Sequence, residues 1–289
     1  PRLRLIALLL ALVWLRASPA QAAADRYFTA SDGVRLHYLL AGQSHAHTLV
    51  FIPGWTMPAW IWDRQIAAFS TRYRVIAFDP RGQGDSAIPA TGYTAPRRGQ
   101  DIAELLGHID RGGHRRVVVI AWSLGVLDTL AMIAAHGPER LAGLVAVDNS
   151  VGEYPAPHPP PYRPPPRHPP SHAQVMAAFV RAMFRRPQPR AWLDRLIAAC
   201  LRVPEPAARA LLSYAEPRSF WRMAIYRVHA PVLYIVRPGL AGQAASLARG
   251  LGAETAIFAD AGHALFIDDA ARFDALLGGF LTRRVWPAG

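Results

Sequence analysis

A serine at the junction of two apolar segments is the first residue of this sequence that could carry out chemistry. Residues 121–125 read Ala-Trp-Ser-Leu-Gly, with Ser123 between a run typical of a buried strand and a run with helical periodicity. A sharp turn from strand to helix holds a serine hydroxyl away from the sheet, and small neighbours permit that turn. The pattern predicts a nucleophile, although an isolated Ser-x-Gly is more often only a helix N-cap.

The elements that would position this serine can be predicted from periodicity. Short apolar runs are typical of buried parallel strands, and they occur at residues 36–40, 48–52, 75–78, 117–121, 144–147, 232–236 and 255–258. Helical patterns lie at residues 58–69, 97–109, 124–135, 240–251 and 269–282. This alternation predicts an α/β fold with a mostly parallel central sheet and helices on both faces. The loops at the carboxyl ends of the strands would then form the site.

The alternation stops between residues 149 and 229. This segment opens with a proline-dense stretch, residues 154–170, which cannot supply the backbone hydrogen bonds of a helix or a central strand. Helical patterns follow at residues 171–184, 191–201, 206–215 and 217–228. We interpret residues 149–229 as a proline-rich segment and helical cap inserted into one core domain, whose two parts are residues 23–148 and 230–289. The proline-rich stretch would act as a lid or as a passive linker.

Three further motifs accompany the serine turn. Residues 51–55 (Phe-Ile-Pro-Gly-Trp) and residues 78–86 (Phe-Asp-Pro-Arg-Gly-Gln-Gly-Asp-Ser) follow strand patterns, and residues 260–266 (Asp-Ala-Gly-His-Ala-Leu-Phe) lie between the last strand and the last helix. In this order the four motifs resemble those of the α/β-hydrolase superfamily. The sequence departs from the family at Ala121, where glycine is usual, and at Pro53, where histidine is usual.

The resemblance extends over about residues 28–284 and implies roles for particular residues. Ser123 would be the nucleophile and His263 the general base that takes its proton. The backbone N–H groups of Trp55 and Leu124 would form the oxyanion hole. The glycine-rich run at residues 78–86 is mostly scaffold in the family.

The acid of the triad is absent from the place where many relatives carry it. That place follows the penultimate strand, yet no Asp or Glu occurs from residue 229 to residue 253. Some haloalkane dehalogenases and lipases of this superfamily carry the acid after the strand that follows the nucleophile's helix, and here that strand is followed by Asp148. We therefore expect Asp148 to be the triad acid.

Other interpretations of the acidic residues stay open. Asp148 could serve only to stabilise its loop, as many aspartates do at such positions. Glu153 is a weaker substitute for it, and we expect Asp260 to brace the loop of His263.

A serine nucleophile favours acyl transfer to water, whereas a dehalogenase needs a carboxylate nucleophile. We expect hydrolysis of a small or medium hydrophobic ester without a metal or an organic cofactor, since the sequence has no Cys/His cluster and no phosphate-binding loop. Perhydrolysis, amide hydrolysis and C–C bond hydrolysis use nearly the same triad and stay open. Two non-enzymatic alternatives also stay open. One is a non-catalytic binding protein on the same scaffold, and the other is a surface-association protein whose function survives Ser123→Ala.

Large apolar side chains crowd the expected site. They are Trp55, Met57, Trp60 and Trp62 near the oxyanion loop, and Phe179, Met183, Phe184, Trp192, Phe220 and Trp221 in the cap. Such a set predicts an apolar pocket for an acyl or aromatic group. Packing of the cap on the core explains these side chains equally well, because apolar stripes at helical spacing usually form core.

Composition limits the class of protein. The chain has 289 residues, of which 52% are hydrophobic, so it can bury a large core. Its single cysteine, Cys200, cannot form an internal disulfide, and its apolar helical surroundings indicate a core residue. The net charge of +12 favours weak association with anionic membrane surfaces, but the scattered arginines form no nucleic-acid module. The oligomeric state stays open.

The first residues have the pattern of an export signal. Arg2 and Arg4 precede an unbroken apolar run at residues 5–15, and small residues follow around residues 20–22. The run is shorter than the roughly 20 residues that a membrane-spanning helix needs. We therefore expect residues 1–22 to be a signal peptide and the protein to be periplasmic or secreted, with an uncleaved amphipathic anchor as the alternative.

Overall fold

The computed structural model describes residues 23–113, 115–157 and 168–287. Its centre is an eight-stranded sheet of order β1-β2-β4-β3-β5-β6-β7-β8. The strands are β1 (Ala24–Thr29), β2 (Arg35–Ala41), β3 (Thr48–Ile52), β4 (Arg74–Asp79), β5 (Val117–Trp122), β6 (Leu141–Val147), β7 (Val232–Val236) and β8 (Glu254–Ile257). β2 pairs antiparallel with β1 and β4, and every other pairing is parallel. The predicted fold class is thus confirmed.

Helices cover both faces of the sheet because the central strands are apolar on both sides. They are α1 (Asp63–Phe69), α2 (Ala95–Ile109), α3 (Leu124–His136), α4 (His172–Ala182), α5 (Arg190–Leu201), α6 (Glu205–Leu211), α7 (Arg218–Tyr226), α8 (Ala241–Leu251), α9 (Leu265–Asp268) and α10 (Ala270–Phe280). Along β3, Leu49 and Phe51 join the core cluster that contains α1 and α10, while Val50 and Ile52 join the cluster that contains α2, α3 and α8. The sheet therefore separates two cores.

Most element boundaries follow the predicted ones within a few residues. The strand β1 was not predicted, because only one of its six residues, Phe28, is buried and no apolar run marks it. The strand β6 begins at Leu141, three residues before its predicted start, since Gly143 and small neighbours interrupt the apolar pattern. The predicted helix at residues 58–69 begins as a 3₁₀ turn over Ala59–Trp62 before α1.

Four helices, α4 to α7, lie between β6 and β7, in the segment interpreted as a cap. Buried residues of α4 and α5 join the core of α1 and α10, among them Cys200, which is fully buried as expected. Buried residues of α6 and α7 join the other core. The expected signal peptide and residues 158–167 of the proline-rich stretch lie outside the described residues, and the domain boundaries stay predictions.

No helix in the described ranges combines the length and the apolar character that crossing a membrane requires.

Candidate active site

Ser123 occupies a strained turn between β5 and α3. Its φ of 54° and ψ of −122° are unusual for a residue with a side chain. Its N–H donates to the carbonyl oxygen of Val147 (2.9 Å), and its own carbonyl oxygen accepts from the N–H of Val126 (2.9 Å). In the described part of the chain, the other non-glycine residues with positive φ are Thr56 and Asp148, both at this edge of the sheet. Strained backbone thus clusters around one site.

Two glycines allow the turn to pack closely. A Cβ atom at Gly125 would lie 2.6 Å from the carbonyl oxygen of Pro53, and a Cβ atom at Gly54 would lie 3.0 Å from the Cβ of Ser123. Ala121 is completely buried at the position where the family usually has glycine. Glycine is therefore needed two residues after the serine and in the loop facing it, but the strand before the serine accommodates a methyl group.

The three side chains expected to form a triad are brought together. Nε2 of His263 lies 2.8 Å from Oγ of Ser123. Nδ1 of His263 lies 2.7 Å from Oδ2 of Asp148. With the Nδ1 proton donated to the carboxylate, Nε2 is left as the acceptor for the serine hydroxyl, which is the arrangement that general-base catalysis requires.

Asp148 follows β6 directly and is held by several donors. Its N–H donates to the carbonyl oxygen of Ile235 on β7 (2.8 Å). The backbone N–H of Arg237 donates to Oδ1 (3.0 Å), and Nε of Arg237 donates to Oδ2 (2.6 Å). Burial by itself raises the pKa of Asp148, but the hydrogen bond and charge of His263 and the charge of Arg237 outweigh burial and lower that pKa below its ordinary value. Asp148 is therefore a carboxylate at neutral pH.

Two buried side chains position the loop of His263. Nε1 of Trp122 donates to the carbonyl oxygen of His263 (2.9 Å). The carboxylate of Asp268 accepts the N–H of Gly262 (2.7 Å) and the N–H of Arg185 after α4 (2.7 Å). We expected Asp260 to brace this loop, and that prediction is wrong. Asp260 is exposed and forms no hydrogen bond with another described residue, whereas Asp268 lies beneath the loop.

The expected oxyanion loop is fixed by Gln83 from the glycine-rich run. Gln83 is buried, and its Oε1 accepts the N–H of Thr56 (2.6 Å) while its Nε2 contacts the carbonyl oxygen of Gly54 (3.3 Å). The N–H groups of Trp55 and Leu124, which the sequence predicts as oxyanion donors, have no acceptor among the described residues. The absence of a protein acceptor is consistent with the predicted oxyanion role.

Asn149, in the loop that follows β6, supports the serine turn. Its side-chain amide donates to the carbonyl oxygen of Ser123 (2.7 Å), and its backbone carbonyl oxygen accepts from the hydroxyl of Tyr234 (2.8 Å). Glu153, the alternative acid, instead accepts from the hydroxyl of Tyr226 (2.7 Å) and pairs with Arg222 (3.3 Å). Glu153 is thus engaged with α7, while Asp148 contacts His263.

The apolar side chains expected to line a pocket divide into two groups. Met57, Trp62, Met183 and Trp221 are buried, as the core-packing alternative predicts. The partly buried group consists of Trp55, Trp60, Phe179, Phe184, Trp192 and Phe220. Within it, Nε1 of Trp55 donates to the carbonyl oxygen of Ala208 on α6 (2.8 Å), and the ring of Trp55 contacts Phe179 edge-on at 4.9 Å between centroids. Trp55 therefore links the oxyanion loop to the inserted helices.

One group of potential metal ligands lies among the described residues, at a distance along the sheet from the triad. Asp25, His37 and Asp85 can each bring one ligand atom within 4.8 Å of the others. His37 is already bonded to Asp79 as well as Asp25, and Asp85 pairs with Arg202 (2.7 Å). These contacts account for the group without an ion.

Several supporting residues were not predicted. Gln83 lies in a motif that we interpreted as scaffold, so its position was visible although its contact was not. Trp122 and Asn149 adjoin predicted site residues in the sequence. Arg237 occupies the place where the family usually carries its acid, and Asp268 has no distinguishing pattern.

Comparison with known proteins identifies the family. The model of the alpha/beta hydrolase family matches residues 49–276. A non-heme chloroperoxidase from Streptomyces lividans is 37% identical over 120 residues, which are 41% of this chain and 42% of that protein. A soluble epoxide hydrolase from Corynebacterium sp. (strain C12) is 36% identical over 94 residues, 32% of this chain and 31% of that protein. The chain thus matches less than half the length of these relatives.

Solved structures match over a larger part of the chain. A candidate aryl esterase from Burkholderia cenocepacia has a TM-score of 0.75 and 26% identity, covering 89% of this chain and 98% of that one. The esterase RhEst1 from Rhodococcus sp. ECU1013 has a TM-score of 0.73 and 22% identity, covering 90% of this chain and 99% of that one. The second likeness concerns the fold alone.

Proposed function

The chain belongs to the alpha/beta hydrolase family, and from this premise we propose that it is a serine hydrolase that cleaves small or medium hydrophobic esters. The observation that carries the proposal is the continuous chain of hydrogen bonds from Ser123 Oγ through His263 to Asp148, with distances of 2.8 and 2.7 Å. A serine in this setting is an activated nucleophile.

The proposed reaction has two halves. His263 Nε2 takes the hydroxyl proton as Ser123 Oγ attacks the ester carbonyl, and the N–H groups of Trp55 and Leu124 bind the developing oxyanion. His263 then gives the proton to the leaving alcohol, so that an acyl-enzyme forms. Water, deprotonated by His263, attacks the acyl-enzyme and releases the acid and the free serine.

The hydrophobic preference rests on the partly buried aromatic side chains beside the oxyanion loop. Trp55 contacts Phe179, and Trp60 and Trp192 meet edge-on at 6.0 Å between centroids. An apolar acyl or aromatic group would pack on such rings and leave its ester carbonyl at Ser123. The fold-level likeness to esterases agrees with this preference.

The proposal is tested by labelling with a fluorophosphonate probe and by turnover of p-nitrophenyl esters of increasing acyl length. Wild type should be labelled once per chain, and Ser123→Ala should lose labelling and at least about 10⁴-fold in kcat/KM. Ser150→Ala is the matched control, because Ser150 is a partly buried serine at the same sheet edge that bonds to Gln243 rather than to His263. Its labelling should equal that of wild type. A folded wild type that is neither labelled nor active would favour the binding-protein alternative.

Perhydrolysis is the second candidate, because the chain resembles non-heme haloperoxidases over about two fifths of its length. Hydrogen peroxide would replace water in attacking the acyl-enzyme and would release a peracid. Turnover of the same esters with and without peroxide distinguishes the two, since a perhydrolase forms a peracid that oxidises bromide while an esterase forms only the acid.

A further inference from the structure

Arg237 stands where many relatives carry the triad acid, and it contacts the carboxylate that takes over that role here. It follows β7 directly, and it reaches Asp148 through its backbone N–H (3.0 Å to Oδ1) and its Nε (2.6 Å to Oδ2). Oδ2 also accepts the Nδ1 proton of His263 (2.7 Å). One carboxylate oxygen thus bonds to both the imidazole and a guanidinium.

We propose that Arg237 is a positioning residue of the triad, which holds Asp148 in the orientation that meets His263 and limits how strongly Asp148 stabilises the protonated imidazole. This inference rests on the proposed function. Arg237 has no contact with the reacting atoms, and it would act only through Asp148.

The orientation follows from the two donors of Arg237. Because they bind different oxygens of one carboxylate, they fix the plane of the carboxylate as well as its position. The Asp148 backbone itself has a positive φ of 46°, so its side chain is presented from a strained turn. The two bonds from Arg237 therefore keep Oδ2 facing Nδ1 of His263. Without them, the Asp148 side chain could rotate about its own bonds to the backbone.

The charge of Arg237 opposes that of Asp148. A carboxylate beside a protonated imidazole stabilises it, and a cation bonded to the same oxygen partly cancels this stabilisation. Neutral His263 is the form that can act as base, so Arg237 extends activity toward acidic pH.

Other ionisable groups also lie near the pair. Burial, followed by the charge of Asp148, raises the pKa of Tyr234 far above its usual range. Burial raises the pKa of Glu153, but donors including the Tyr154 N–H and the Tyr226 hydroxyl outweigh it and lower that pKa. Three further charged residues contact segments next to the pair. Arg218 of α7 bonds to Ser150, and Asp268 accepts from the N–H groups of Gly262 and Arg185.

The test compares the pH dependence of kcat/KM in wild type, Arg237→Gln and Arg237→Lys. Arg237→Gln should shift the midpoint of the acidic limb upward by about 0.5–1 pH unit and lower kcat on the plateau about three- to tenfold. Arg237→Lys keeps the charge and should keep the midpoint within about 0.3 unit while losing part of kcat. Since the side chain of Arg237 is 46% exposed, both variants should fold.

Arg202→Gln is the matched control. The side chain of Arg202 is 50% exposed and pairs with one aspartate, Asp85, at 2.7 Å, so the variant removes the same charge from an arginine of similar exposure whose partner does not contact His263. Its acidic limb should coincide with that of wild type. Equal loss of activity at every pH in Arg237→Gln, with an unmoved midpoint, would overturn the proposed electrostatic role.

A second readout separates this inference from the proposed function. The ring of His263 can be titrated by NMR, with its signal assigned by its absence in His263→Gln, whether or not an ester is hydrolysed. A titration midpoint that rises in Arg237→Gln supports the inference even if no ester is cleaved. An unchanged midpoint contradicts it even if the protein is an active esterase.

Discussion

Two carboxylate–imidazole pairs of the same length lie in different parts of the sheet. Nδ1 of His263 lies 2.7 Å from Oδ2 of Asp148 at the carboxyl ends of central strands. Nδ1 of His37 lies 2.7 Å from Oδ2 of Asp79, where β2 pairs with β4. The distance is the same, so what distinguishes a proposed base from a structural histidine must lie in the other neighbours of each pair.

The outer pair holds its histidine between two acids. Nε2 of His37 lies 3.0 Å from Oδ1 of Asp25, so both ring nitrogens face carboxylates. Burial by itself lowers the pKa of His37, but the hydrogen bond and charge of Asp79, the hydrogen bond of Asp25 and the charge of Asp85 outweigh burial and raise that pKa. These contacts favour the imidazolium form of His37, in which both ring nitrogens carry protons and neither has a lone pair with which to act as base.

The central pair offers its histidine a hydroxyl and gives its carboxylate a cation. Nε2 of His263 meets Ser123, and Asp148 also bonds to Arg237. One pair thus has surplus negative charge and the other a compensating arginine. We infer from this difference that the other partners of an Asp–His contact, rather than its length, determine whether its histidine is suited to act as a base.

The largest expected effect is on activity, which should depend on the His263–Asp148 pair and not on the His37–Asp79 pair. Asp148→Asn should lower kcat by about 10³–10⁴-fold, because the amide favours the wrong tautomer of His263. Ester turnover per folded molecule, with folding checked by circular dichroism, measures this effect. His37→Gln is the control and should stay within about threefold of wild type; an equal loss in both variants would mean that the two pairs are not functionally distinct.

The next effect is on stability, and here the His37–Asp79 pair should matter more than the His263–Asp148 pair. His37→Gln should lower the free energy of unfolding by about 3 kcal/mol, since it leaves the buried carboxylate of Asp79 without its charged partner. His263→Gln should lower the free energy of unfolding less, by about 1 kcal/mol, because Arg237 still pairs with Asp148. Urea unfolding at pH 7 measures both. A greater loss in His263→Gln would contradict the structural role assigned to the outer pair.

The same contrast explains how far the sequence could be interpreted. Ser123, His263 and Asp148 were predicted because the motifs that contain or precede them resemble those of the α/β-hydrolase superfamily, and because the carboxyl ends of parallel strands meet at one sheet edge. The central strands β3, β5 and β7 were predicted because their residues are buried on both faces and form unbroken apolar runs. Local pattern suffices where burial is complete.

Contacts between distant segments could not be predicted. The clamp of Arg237 on Asp148 joins residues 89 positions apart, and that of Asp268 on Arg185 joins residues 83 apart. The strand β1 alternates too weakly to be distinguished from a loop, because most of its residues are exposed. In each case the partner, rather than the local sequence, determines what the residue does.

A smaller effect tests what holds the central histidine in place. Trp122→Phe removes the hydrogen bond from Nε1 to the carbonyl oxygen of His263, and we expect kcat to fall about tenfold with little change in KM, the worth of one hydrogen bond. Trp62→Phe is the matched control, because Trp62 is equally buried and its Nε1 has no hydrogen-bond partner. Equal losses of kcat in the two variants would attribute the effect to packing.

The smallest effect concerns the pH dependence of stability. The pKa of His37 is raised in the folded state, so the folded protein binds more protons than the unfolded chain above the unfolded pKa of about 6.5. The stabilisation from His37 is therefore complete below that pH and is lost as the pH rises through the folded pKa. For one proton the slope cannot exceed about 1.4 kcal/mol per pH unit.

Unfolding by urea at intervals between pH 6 and pH 9 measures this dependence. Wild type should lose stability with rising pH, and His37→Gln, which carries no titrating group at that position, should lose less over the same interval. The difference between the two curves isolates the outer pair, because His263 and Asp148 are present in both. Parallel curves would mean that His37 is not held as a cation, and the proposed difference in charge environment between the outer pair and the pair beside Ser123 would then be wrong for the outer pair.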